Sequence, residues 1–262
     1  MIISYYILNP TGNITLLVET PLEKSDYKTV ADRLMAMNPE AEQTGFIGCD
    51  EKGYFLNMAG GEFCGNATLS AAAVFAEKEG INPVEKREIT VNVSGAEKPV
   101  NVTVSTNENG GFSGTVEMPP AKRIITRDFE LEGEKFRLPV VEFGGISHII
   151  FEGVMQKEKA EKAVVRWGDS LGAGCLGIMF ADFKSGALSP LVYARDAGTL
   201  FWESSCASGT AAAGIYLAGK AARDVDISLK EPGGTLRIKA DKNKAPLLSG
   251  TVIKEKYLSV QI

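Results

Sequence analysis

The 262-residue chain has one histidine, His148, and no C-x-x-C pair among its four cysteines, Cys49, Cys64, Cys175 and Cys206. Zinc centres draw on closely spaced cysteine and histidine ligands, so this inventory argues against a metal site, and none is expected. A surplus of positive charge is also missing. Lys and Arg number 28 against 33 Asp and Glu, a formal net charge of −5, so no nucleic-acid partner is expected. No apolar run reaches bilayer length, which excludes a helical membrane span. "MIISYYILNPTGN" lacks the basic region and cleavage site of a signal peptide and reads as a first strand. The expected location is the cytoplasm, where thiols stay reduced and free to act as thiolates. What is present is ordinary for a globular protein: 44% hydrophobic and 23% charged residues, enough for one large domain or two modest ones.

The second half repeats the plan of the first. "IISYYIL" and "ITLLVET" read as strands around an "NPTGN" turn, followed by a helix in "TVADRLMAMN". "TGFIGCDE" and "KGYFLNM" form a hairpin around "DEKG". A helix is predicted from Gly65 to Lys78, stopped by Gly80 and Pro83. Strands "REITVNVSG" and "KPVNVTVSTN" follow, and "NGGFSGTVEMPPAKR" punctuates the middle. Beyond it, strands in "KFRLPVVEFGGISHIIFEG" precede a helix in "EKAEKAVVRWGDSL". Strands "CLGIMFADF" and "LSPLVYARDAG", a turn "TLFWESS" and a helix "CASGTAAAGIYLAGKAAR" come next, before a β-rich tail. Setting "CGNATLSAAAVFAEK" over "CASGTAAAGIYLAGK" places Cys64 on Cys206, Thr68 on Thr210, Ala71 on Ala213, Ala76 on Ala218 and Lys78 on Lys220. The expected division is 1–116 with Cys64 and 117–250 with Cys206, with strand 251–262 packing back on the first half. A site is expected in a cleft between the halves.

Both cysteines stand where a helix begins. A helix start leaves backbone N–H groups without partners and carries partial positive charge, which stabilises a thiolate and binds carboxylates. The residues that follow are mostly small: Gly65, Asn66 and Ala67 after the first, Ala207, Ser208, Gly209 and Thr210 after the second. They let a ligand approach the backbone. One buried thiol is ordinary packing, and Cys49 and Cys175, inside strand-like runs, are read that way. Two thiols at matching places suit a particular reaction. One removes the α-proton of an amino acid and the other returns a proton to the opposite face, inverting the centre with no cofactor. Helix N-termini aimed at the carboxylate stabilise the charge that develops on it. A binding module that holds an amino acid without turnover is the rival from another class.

"FCGNAT" and "CASGTAAAG" resemble the two cysteine motifs of the diaminopimelate epimerase and proline racemase superfamily. "NPTGNITLLV" resembles its Gly-Asn turn, "FGGISHIIF" its histidine segment and "VEMPP" its crossover. The resemblance implies an α/β fold of two pseudo-symmetric halves, each with a mostly antiparallel sheet wrapped around a central helix. It implies Cys64 and Cys206 as catalytic residues, no cofactor, a small amino-acid substrate and a homodimer. It also implies substrate contacts at Asn13, Gly65, Asn66, His148, Ala207, Ser208, Gly209 and Thr210. "WESSC" has Ser204 where diaminopimelate epimerases carry an arginine after the glutamate, which argues against that substrate. The histidine racemase branch fits best, with Glu42, Glu62 or Glu203 receiving a polar or cationic side chain. Diaminopimelate epimerase stays an alternative. So does a phenazine-biosynthesis-like isomerase on the same fold, with Glu42 or Gln43 near the place of its catalytic glutamate.

Overall fold

The computed structural model describes every residue except 83–84, 109, 196–197 and 242–243. Pro83, expected to help stop the second helix, lies outside the described residues, as do Asp196 and Ala197 of "LSPLVYARDAG". The chain divides into two compact units, Met1–Glu117 with Ser249–Ile262, and Met118–Leu248.

The first unit contains β1 (Ile2–Pro10), β2 (Thr15–Val18), α1 (Tyr27–Met37), β3 (Gln43–Asp50), β4 (Gly53–Met58), α2 (Gly65–Lys78), β5 (Lys86–Val93), β6 (Val100–Thr106) and β7 (Phe112–Glu117). Its strands follow that order around the sheet, and the last long strand of the chain pairs with both β7 and β1, closing the ring. Neighbours are antiparallel except β2–β3 and β4–β5. Every residue of α2 from Gly65 to Ala76 is buried. An alanine-rich helix with small residues on all sides is what a surrounding sheet can enclose. The two faces of the sheet are set by strand alternation. Leu16, Val18 and Phe46 pack with Val30, Ala31 and Leu34 of α1. Thr15 and Gln43, paired across β2 and β3, have the opposite parity and lie on the α2 side.

The second unit contains β8 (Arg123–Leu131), β9 (Glu134–Glu142), β10 (Ser147–Glu152), α3 (Lys157–Leu171), β11 (Cys175–Asp182), β12 (Ala187–Ala194), β13 (Thr199–Trp202), α4 (Ala207–Ala221), β14 (Val225–Glu231) and β15 (Gly234–Ala240). The final strand, β16, runs Leu247–Gln261. The sheet order is β15-β14-β12-β11-β10-β9-β8, with β13 paired to β12. Alternation again sorts the two faces. Val140, Ile149, Ile178 and Phe180 pack with Trp167 of α3, while Val141, Ile150, Met179 and Ala181 pack with Ala212 and Ala213 of α4. His148 shares parity with Ile150 and so falls on the α4 face.

Three expectations need correction. "TLFWESS" is not wholly a turn, because Thr199–Trp202 pairs with β12 as a strand. The stretch read as punctuation contains β7, with β8 beginning at its last residue, Arg123. Cys49, expected to pack inside its strand, is exposed near the end of β3.

The turns after β5 and β14 brace the segments that lead into the two cysteines. Ser94 Oγ donates to the Glu62 carbonyl at 2.9 Å, and the Gly233 N–H donates to the Ser204 carbonyl at 2.7 Å. Gly95 has φ +74°, and a Cβ there would sit 2.3 Å from the Phe63 backbone nitrogen. Gly95→Ala combines a conformational penalty with a clash against backbone that cannot yield locally. We expect it to destabilise the protein by about 2 kcal/mol or more, read as a lowered urea midpoint at unchanged m-value.

Candidate active site

In the first unit Cys64 is the N-cap of α2, with extended backbone (φ −131°, ψ 116°) and a sulfur that accepts the Ala67 N–H at 3.4 Å. Its S–H donates to Gln43 Oε1 at 2.9 Å. Gln43 Nε2 donates in turn to Asn13 Oδ1 at 2.5 Å and to Thr15 Oγ1 at 2.9 Å. Asn13 Nδ2 donates to Glu42 Oε2 at 2.5 Å. The polar chain therefore runs Glu42–Asn13–Gln43–Cys64. Asn13 and Glu42 are thus linked to the thiol through the neutral Gln43. Gly65 and Asn66 are buried in the first turn beside the cysteine. Glu62 is exposed, and its carbonyl serves the brace to Ser94.

In the second unit Cys206 caps α4 with nearly the same backbone (φ −126°, ψ 104°), and its sulfur accepts the Gly209 N–H at 3.4 Å. The surroundings differ. Ser208 Oγ lies 3.6 Å from the sulfur and 2.9 Å from His148 Nε2. His148 is fully buried, and its Nδ1 has no hydrogen-bond partner among the described residues. Burial lowers its pKa from 6.5 to about 3, so the ring is neutral. It reaches the thiol through Ser208 and is a supporting group. Gly177 makes room for it, since a Cβ there would lie 2.3 Å from Nδ1. The Cys206 thiol also bonds to the Glu203 carboxylate.

A helix N-terminus was expected to favour the thiolate. At Cys206 the balance runs the other way. Burial first, then the Glu203 charge, pushes the thiol well above its ordinary value. The N-terminal N–H groups are weaker than the cost of placing a second negative charge beside a carboxylate in a site that is 6% exposed.

One acidic residue escaped the sequence reading. Glu231, at the end of β14, accepts the Cys206 backbone N–H on Oε2 at 2.7 Å and the Thr210 hydroxyl on Oε1. In "LKEPGG" it looks like a turn acid. The available signal was alternation: Val225, Ile227, Leu229 and Glu231 share a strand parity, which turns Glu231 inward. Ala207, Gly209 and Thr210 are buried in the first turn of α4, and Ser208 is half-buried beside them.

Comparison with known proteins identifies the family. A model of the "Histidine racemase CntK N-terminal domain" family matches residues 2–257. A histidine racemase of Fusobacterium nucleatum subsp. nucleatum is 32% identical over 223 residues, covering 82% of this chain and 81% of that protein. One from Staphylococcus aureus is 28% identical over 251 residues, covering 90% and 88%. A crystal structure of a hydroxyproline epimerase from Agrobacterium vitis superposes with a TM-score of 0.71 at 10% identity, covering 99% of this chain and 92% of that one. That likeness gives the same fold of pseudo-symmetric α/β halves. Among the described residues no helix is long and apolar enough to cross a membrane. Matched along almost its full length by the family model and by relatives near 30% identity, the chain belongs to the histidine racemase family.

Proposed function

We propose that the protein racemises free histidine without a cofactor, with Cys64 and Cys206 as the acid/base pair. The observation that carries this reading is the paired construction of the thiols. Each unit presents a cysteine as the N-cap of a buried helix, with its sulfur wired to polar side chains. A packing thiol needs no such wiring. Cys206, held protonated by burial and by Glu203, enters the cycle as the acid. Cys64, once its own proton has passed to solvent, takes the α-proton as a thiolate, while Cys206 delivers its proton to the opposite face of the α-carbon. The next turnover in the opposite direction exchanges the roles. First-turn N–H groups at both caps are the donors suited to the substrate carboxylate. The chemistry requires both thiols reduced, as they are in the cytosol.

The family relatives carry the choice of histidine. The diaminopimelate reading lacks an arginine at 204, and the isomerase reading leaves the second cap thiol, Cys206, without a use. The test is incubation of the reduced protein with single L-amino acids in D2O, following deuterium incorporation at the α-carbon together with optical rotation. Histidine is expected to exchange and racemise fastest. Failure of histidine with success of another amino acid overturns the substrate. Tight binding of one enantiomer, with no exchange from any amino acid, replaces the enzyme by a binding module.

A further inference from the structure

Cys206 has an acidic neighbour that the two-thiol reaction does not call for. Glu231 is 3% exposed. Its two oxygens hold two points of one helix start: the backbone N–H of the cap residue, and the hydroxyl of Thr210 four residues on. The turn that follows Glu231 holds a third point, through the Gly233 N–H to the Ser204 carbonyl. The first unit uses the matching threonine differently, with Thr68 Oγ1 donating to the Cys64 carbonyl at 2.7 Å. The carboxyl grip is a feature of the Cys206 unit.

We propose that Glu231 is a positioning residue for Cys206: it fixes the backbone of the cap, and its charge, when present, adds to the resistance of the thiol to losing its proton. The proposal rests on the reading of Cys206 as an acid/base thiol. Three groups face Glu231 or its thiol from the packed elements: the Glu203 carboxylate, the Cys206 thiol itself, and neutral His148 beyond Ser208. Burial raises the Glu231 carboxyl to about 8, against the two donors that favour its charge. Near neutral pH the carboxyl therefore carries its proton most of the time. Above that range a second negative charge appears beside a thiol that already faces Glu203. Thiolate formation at Cys206 then becomes harder, and the two titrations are linked.

Glu231→Gln keeps the shape. Its Oε1 accepts the Cys206 N–H and its Nε2 donates to Thr210, while the charge is gone. Carbon-13 labelling at cysteine Cβ lets NMR follow each thiol through pH, with Cys64 as internal reference. In the Gln variant the thiolate fraction of Cys206 at pH 9 is expected to rise severalfold over wild type, with the Cys64 curve unmoved. Histidine exchange by the wild type is expected to fall above pH 8, and the same variant should relieve that fall. Glu231→Ala, which leaves the Cys206 N–H without its acceptor, should lower exchange about tenfold at every pH. Coincident Cys206 curves in wild type and Glu231→Gln overturn the proposal, as does an equal shift at Cys64. The titration needs no turnover. If histidine is not a substrate, the NMR curves still decide this proposal while the exchange assay alone rejects the function.

Discussion

Cys64→Ser and Cys206→Ser are each expected to abolish racemisation of histidine, a loss of at least about a thousandfold. The magnitude follows from what a hydroxyl cannot do. Its proton is far less acidic than a thiol's, so neither proton abstraction nor return is supported at neutral pH. The substitution is also clean. Serine is a preferred N-cap, so its Oγ can take the Ala67 or Gly209 N–H that the sulfur accepts in wild type. Helix stability should change little, and loss of activity then reports chemistry rather than unfolding. The pattern of exchange carries more than its size. With one thiol left, the protein should still exchange the α-proton of one enantiomer with D2O, at a reduced rate and with retention. Cys64→Ser and Cys206→Ser should differ in which enantiomer survives. Cys49→Ser serves as the control, because that thiol is exposed near the far end of β3. Racemisation that persists in both site variants would reject the two-thiol mechanism.

The helices that carry the thiols were legible because composition alone marks them. A run of alanine and other small residues after a glycine-rich turn has few other uses. The two caps could be found by laying one half over the other. What escaped was set by long-range pairing. β7 was hidden by Gly114 inside it and by Gly110 and Gly111 just before it, which read as breaks. Gly114 is instead a close-approach residue, since a Cβ there would lie 2.8 Å from Leu69 Cδ2 of α2. The glycine marks a strand pressed against the central helix. β13 has four residues and takes its form from pairing with β12, which no local pattern announces. The site divides in the same way. Gln43 was weighed only beside Glu42, for the place of an isomerase's catalytic glutamate, and not as a partner of Cys64. Its contact with Cys64 depends on β3 lying parallel to β2, so that Gln43 falls opposite Thr15 on the α2 side. Glu231 stands 25 residues beyond Cys206. Strand parity turns it inward, but only the fold says which residue it meets.

The buried pair in the second unit should shape stability against pH, and the two signs are opposite. His148 has its folded-state value lowered from 6.5 to about 3. Its contribution is fully present above 6.5 and is lost as pH falls toward 3, because the unfolded chain takes up the proton first. Glu231 has its value raised from 4.5 to about 8. Its contribution is fully present below 4.5 and is lost as pH rises toward 8, because the unfolded chain releases the proton first. Between 4.5 and 6.5 the two slopes oppose each other and stability should vary little. Between 6.5 and 8 the histidine has nothing more to add and the glutamate alone acts. Stability should then fall by about 2 kcal/mol across that interval, from about 1.4 kcal/mol for each pH step. Ordinary exposed carboxylates are fully ionised in both states there, so they cannot mimic the slope. Urea unfolding at half-unit steps from pH 6 to pH 8 measures it, and Glu231→Gln should flatten the curve. A wild-type midpoint that stays level over the interval would show that Glu231 is ionised in the folded protein near neutral pH. The acid limb is shared, because Glu152 and Asp226, each bonded to basic partners, are held below the ordinary carboxylate value and also lose their contribution as pH falls. The neutral-to-alkaline limb is thus the place where one buried carboxyl can be read by itself.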